Sequence, residues 1–169
     1  SYKGKVAMEV GEDFDVNYDN IQNRLDSGIL PKSGIEYGFI SKANRGETVT
    51  LSFTIRTGNV DDYMNKGMTA GFVASLLNKG TQSRSRQDIE DALSAISSSV
   101  GFGGSNGRVY ANISSTKENL PSALEIMTDM LKNPKFEISE LDKIKTQRLA
   151  RLESSASDPQ FVAAQRMSQ

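Results

Sequence analysis

The stretch Lys66–Thr81, KGMTAGFVASLLNKGT, constrains the fold more than any other. Met68, Phe72, Val73, Leu76 and Leu77 sweep across most of a helix circumference, and a helix apolar nearly all round belongs in a core. Gly80 stands where a left-handed C-terminal cap is expected. Gly71, Ala74 and Ser75 lie at i, i+3 and i+4, so Gly71 and Ser75 share a face one turn apart with Ala74 beside them. All three side chains are small and nearly inert.

The chain around this helix reads as alternating pairs of strands and helices. A short strand is predicted at Tyr37–Ser41. Thr48–Arg56 follows, with Val49, Leu51, Phe53 and Ile55 alternating strictly with Thr50, Ser52 and Thr54. After the central helix, Ser85 and Asp88 form a capping-box pattern, with Ile89, Ala92, Leu93 and Ile96 as the apolar face. Val100–Asn106 and Arg108–Ser115 read as a hairpin turning at Asn106-Gly107, with Val109, Ala111 and Ile113 on one side. A helix from Asn119 follows, its stripe formed by Leu120, Leu124, Met127 and Leu131, with Ile126 and Met130 on its flanks; Asn133-Pro134 stops it. Ser139 caps a further helix to about Ser157, with Leu141, Ile144, Leu149 and Leu152 inward, and Asp158-Pro159 begins another. The predicted class is α+β: one antiparallel sheet with helices on one face, in the order ββααββαα(α). Residues 1–33 read as an irregular acidic arm, and 34–169 as the domain.

Composition removes most chemistry. The chain has no Cys and no His, which excludes thiolate sites, His-ligated metal, Ser-His-Asp triads and imidazole acid–base catalysis. Its 20 basic and 21 acidic residues balance, so nothing points to nucleic acid. No apolar run approaches the roughly 18–20 residues of a membrane span. Asp13, Asp15 and Asn17 resemble the start of a calcium loop, but Tyr18 stands where Gly is needed and Arg24 where a bidentate Glu is needed, so they read as a solvated stretch. Gly103-Gly104-Ser105-Asn106-Gly107 matches a nucleophile elbow, yet strands flank it on both sides, so it reads as a hairpin turn. Arg84 and Arg86 read as solvated cations. A Ser–Lys dyad is open on composition, with no spacing that singles one out.

Taken together, the central helix, Ser85-Arg86-Gln87-Asp88-Ile89, the Ser-Asn-Gly hairpin, Lys117–Leu124 and Lys132-Asn133-Pro134-Lys135-Phe136 resemble the pitrilysin/insulinase zinc peptidases, the inverzincins. The active half of that family carries H-x-x-E-H on this helix and a third ligand, a Glu, on a later one. In the register set by Lys79-Gly80-Thr81, the resemblance puts Gly71 and Ser75 at the two His positions, Ala74 at the catalytic Glu and Ala150 near the distal Glu. It therefore implies a catalytically silent half with no metal or cofactor of its own, zinc being expected only in a partner half. Its implied role is to close against an active half, on the same or a neighbouring chain, around a peptide substrate. It further implies that residues 1–33 are the connector from a preceding half, that the domain is truncated at its C-terminus, and that the bacterial periplasm is favoured. A fragment of this kind is expected to self-associate. The alternatives are a free-standing α+β interaction module and a Ser–Lys hydrolase.

Overall fold

The computed structural model describes residues 11–56, 61, 66, 68–105 and 107–156. The chain divides into two compact units, 1–48 and 49–169.

In the first unit a short helix α1 (Tyr18–Arg24) leads into strand β1 (Leu25–Ile29), which pairs antiparallel with β2 (Glu36–Ile40). The irregular arm expected over 1–33 is thus partly regular, and the β1–β2 ladder crosses the boundary placed at residue 33. Local side chains explain the helix. Asn17 caps it by accepting from the Asn20 N–H at 2.8 Å, and Asp15 accepts from the Asn17 amide at 2.6 Å. Two of the three residues resembling a calcium loop, Asp15 and Asn17, are therefore engaged in a helix cap. In the hairpin, Gly28 lies opposite Tyr37, whose ring comes within 3.2 Å of where a Gly28 Cβ would sit. The aromatic thus covers a backbone that has no side chain of its own.

The second unit holds a three-stranded sheet in the order β3-β5-β4, made from β3 (Thr48–Arg56), β4 (Ser99–Ser105) and β5 (Arg108–Thr116). The expected single sheet is thus divided, because β2 pairs with β1 in its own ladder. β4 and β5 pair antiparallel from Ser99↔Ser114 to Ser105↔Arg108, which leaves a two-residue turn. Gly107 takes φ +71°, as a primed hairpin turn requires. Asn106, the other turn residue, lies outside the described residues, as does the helix expected from Asp158.

Strand period decides where the core goes. Val109, Ala111, Ile113 and Ser115 of β5 are buried, while Asn112 and Ser114 are exposed. On the exposed face, the Ser52 hydroxyl donates to the Asn112 amide oxygen at 2.8 Å, joining β3 to β5. Helices α2 (Thr69–Leu77), α3 (Arg86–Ala95) and α4 (Leu120–Lys132) supply the opposing core side chains. Ala111 and Ile113 pack with Ala123 and Met127, Ile89 and Leu93 with Ile126 and Met130, and Val109 with Ala74 and Leu77. Ile113 is fully buried, worth about 1.5–3 kcal/mol relative to exposure.

The capping box forms as expected. Asp88 N–H donates to the Ser85 hydroxyl at 3.1 Å, and Ser85 N–H to the Asp88 carboxylate at 2.8 Å. Two expectations for the central helix change. It starts at Thr69 with Met68 exposed, and it ends at Leu77, so Gly80 lies beyond the cap. Gly80 does hold φ +121°, but its work is to bridge to Ser85.

Candidate functional site

The site is built where α2 meets α5 (Ile138–Ala156). A short backbone ladder fixes the loops at one end of that pair. Gln82 N–H donates to Asn133 O at 2.9 Å and Lys135 N–H to Gly80 O at 3.2 Å, so the loop leaving α2 is tied to the loop entering α5. Next to it, Lys79 pairs with Glu140 at 3.6 Å. Glu140 also accepts from Lys143 at 2.6 Å, and that ammonium holds its carboxyl below the usual glutamate range. Arg148, eight residues after Glu140, meets Gly71 and Ser75, eight and four residues before Lys79. Contacts that move forward along α5 as they move back along α2 mean that the two helices run antiparallel.

The contact at Gly71 and Ser75 is specific. Arg148 Nη2 donates to Gly71 O at 3.0 Å and lies 3.3 Å from Ser75 Oγ. Its guanidinium stacks over the Phe72 ring, 4.2 Å from the centroid. Ser75 Oγ itself donates back to Gly71 O at 2.7 Å. Ala74, on the same helix, is 1% exposed and packs with Leu77 and Val109. Asn78 ties the end of α2 to strand β4. Its amide donates to Ala74 O at 2.9 Å and to Phe102 O at 3.1 Å, and it accepts from Phe102 N–H at 3.1 Å.

The expected residues meet this geometry unevenly. Gly71 and Ser75 face α5 as anticipated, but Ala150 does not face them. Residue 150 lies about 200° around the helix from Arg148 and is exposed. The inward side of α5 carries Leu141, Ile144, Arg148 and Ser155. Leu149 and Leu152, expected inside, are 60% and 53% exposed. The spacing 141-144-148-155 was available as a signal, with a charged residue inside it that needs a buried partner. The competing stripe through Leu141, Leu149 and Leu152 is more apolar but points largely to solvent.

Other candidates resolve into structure. Ser105 ends strand β4, with β5 beginning at Arg108, so no strand-to-helix elbow exists there. Arg86 pairs with Glu90 at 2.7 Å on the surface of α3. Among the described residues Lys79, Lys135, Lys143 and Lys145 pair with carboxylates, and no Ser hydroxyl is hydrogen-bonded to a Lys amine.

This arrangement of strands and helices, with α2 laid along β4 and α5, can be set beside known proteins. The family model of insulinase, peptidase family M16, matches residues 39–169. The chain belongs to that family. A curated relative is subunit 1 of the mitochondrial cytochrome b-c1 complex of Caenorhabditis elegans, 25% identical over 123 residues, covering 73% of this chain and 26% of the relative. The peptidase M16 inactive domain of Pseudomonas fluorescens shares the fold, with TM-score 0.69 and 20% identity over 83% of this chain and 34% of that one. The periplasmic protease PqqL of Escherichia coli does so with TM-score 0.66 and 12% identity, over 95% of this chain and 17% of that one. The chain spans about a quarter of the length of the curated relative.

Membership of M16 raises zinc, and the residues here can be tested for it. Zinc in proteins takes imidazole, thiolate or carboxylate donors that converge within about 2.0–2.3 Å. At this place stand a glycine, an alanine, a hydroxyl and a guanidinium, and the guanidinium is a permanent cation that cannot coordinate metal. Among the described residues, no cluster of three or more His, Cys, Asp or Glu is placed to hold a metal ion. The donor set does not fit.

Proposed function

We propose that this chain is the catalytically silent half of a two-half M16 zinc peptidase. It closes against a half carrying H-x-x-E-H and helps to enclose and hold the peptide. The observation that carries this reading is the content of the α2 motif. In the family register Gly71 and Ser75 take the places of the two His and Ala74 that of the Glu, and Arg148 from α5 lies against Gly71 and Ser75. A motif helix without any His, Cys or carboxylate, on a scaffold that is kept, fits a role that uses the fold and not the metal. The second unit, 49–169, is read as the peptidase-like domain, and the first, 1–48, as an arm that belongs with a preceding half. Apolar side chains left exposed on one face of α5 fit a domain that further chain covers: Ile138 is 76% exposed, Leu149 60% and Leu152 53%.

The relative in a mitochondrial respiratory complex favours a second reading within the same family, a structural subunit of a larger assembly without peptide cleavage. Co-expression with an H-x-x-E-H half, encoded in the same reading frame or an adjacent one, separates the two. A stable complex that cleaves unfolded peptide supports the silent-half reading. A stable complex without cleavage supports the structural one, and absence of any complex rejects both.

A further inference from the structure

Two features of the α2–α5 contact go beyond loss of ligands. The first is closeness. A Cβ built on Gly104 would lie 2.2 Å from Ala70 O and 2.7 Å from Ala70 C, so β4 touches the first turn of α2 main chain to main chain. A Cβ on Gly71 would lie 3.2 Å from Gly104 O and 3.3 Å and 3.5 Å from the two Nη atoms of Arg148. A side chain at residue 71 would therefore start in a tight place, between the main chain of the strand on one side and the guanidinium it would have to displace on the other. The second feature is charge. A fixed cation already sits on Gly71 O, Ser75 Oγ and the Phe72 ring. A carboxylate at residue 74 would enter an apolar cluster with Leu77 and Val109.

We infer that Arg148 is the resident cation of this site: it joins α2 to α5, a task that a metal performs in the active half, and with Gly104 it closes the site to any divalent ion. The inference rests on the family register of the motif, but its test uses this chain alone and does not depend on a partner. Reinstating the motif then fails to restore metal binding. The variant G71H/A74E/S75H, loaded with excess zinc and washed with chelator, retains no more zinc by elemental analysis than the unaltered chain. Because that variant is crowded, a second measurement carries the inference independently. In 15N-labelled unaltered chain, the Arg148 Nη protons are protected from solvent exchange, and R148K abolishes that signal. R148M, which keeps the stem over Phe72 and drops the charge, lowers the folding equilibrium constant about tenfold. G71A gives the same change more weakly, by pushing the guanidinium from the carbonyl. Stoichiometric zinc in the triple variant overturns the inference. So does an R148M chain as stable as the original with the Arg148 Nη protons of the original exchanging freely. Failure to find a cleaving partner touches only the silent-half reading.

Discussion

Strand β4, SVGFGGS, contains three glycines, and the structure assigns a cost to only one of them. Gly104→Ala would place a Cβ 2.2 Å from Ala70 O and 3.1 Å from the Ala74 Cβ. Comfortable contact between such atoms is about 3.5 Å, so α2 must withdraw by about 1 Å or the strand must bend. The obstructing atoms are main chain of a helix whose Leu76 and Leu77 are buried, so no flexible side chain can swing aside. Overpacking of a tight core costs about 1–3 kcal/mol, and a rigid backbone puts this case near 3 kcal/mol. For a chain of this size that lowers the melting temperature by about 6–12 °C. Gly101 and Gly103 are internal controls, since a Cβ at either meets nothing within 4 Å and neither holds a positive φ. Their alanine variants should hold or gain about 0.4–1 kcal/mol through a stiffer unfolded chain. Thermal and urea unfolding followed by circular dichroism measures all three. Amide exchange at Ala111 and Ile113 confines the readout to the second unit. A G104A midpoint equal to that of G101A would refute the close approach of β4 and α2, and with it the account of why the site is shut.

Further outcomes follow from the same contacts. Asn78→Ala leaves Phe102 N–H and two carbonyls without their side-chain partner and should cost about 1–3 kcal/mol by urea unfolding, with amide protection of Phe102 lost first. Ser85→Ala removes the cap of α3 and should cost about 1 kcal/mol. The Ser85 hydroxyl and the Ser85 backbone N–H hold the Asp88 carboxyl below the usual aspartate range. Because the folded value is the lower one, this contribution is present above the ordinary carboxyl pKa and fades as pH falls through the depressed value. Asp88→Asn should therefore flatten the acid limb of the stability–pH curve and leave neutral pH less stable than the parent. The apolar face of α5 should drive concentration-dependent association in sedimentation, and L149S/L152S should reduce it without lowering the melting temperature, since both side chains are more than half exposed.

Much of the fold is legible in the chain because local signals and tertiary needs agree there. The alternation over Thr48–Arg56 matches β3 residue for residue, and the Ser85/Asp88 box forms with both its hydrogen bonds. They disagree at two places. Asn17 and its neighbours are polar and lie in an acidic stretch, and α1 buries none of its residues, so its sequence carries no periodic apolar signal. On α5 two stripes compete. The more apolar one, through Leu149 and Leu152, faces outward, while the inward one carries Arg148. A cation inside a stripe can be read only when its acceptors are known, and here they are a carbonyl, a hydroxyl and an aromatic face from a helix 77 residues away. For that reason the face of α2 that meets α5, through Gly71 and Ser75, is legible in the sequence, while the residue of α5 that meets it, Arg148, is not.

Peptide hydrolysis by the reconstituted pair tests the central claim most directly. Unfolded fluorogenic peptide is offered to this chain alone, to an H-x-x-E-H half alone, and to the two together. The account predicts cleavage by the pair far above either component. That activity should disappear when the catalytic Glu of the active half becomes Gln, and survive the conservative change S75A in this chain. Chelator-sensitive cleavage by this chain alone, or a pair whose activity is unaffected by that Glu→Gln change, would contradict it.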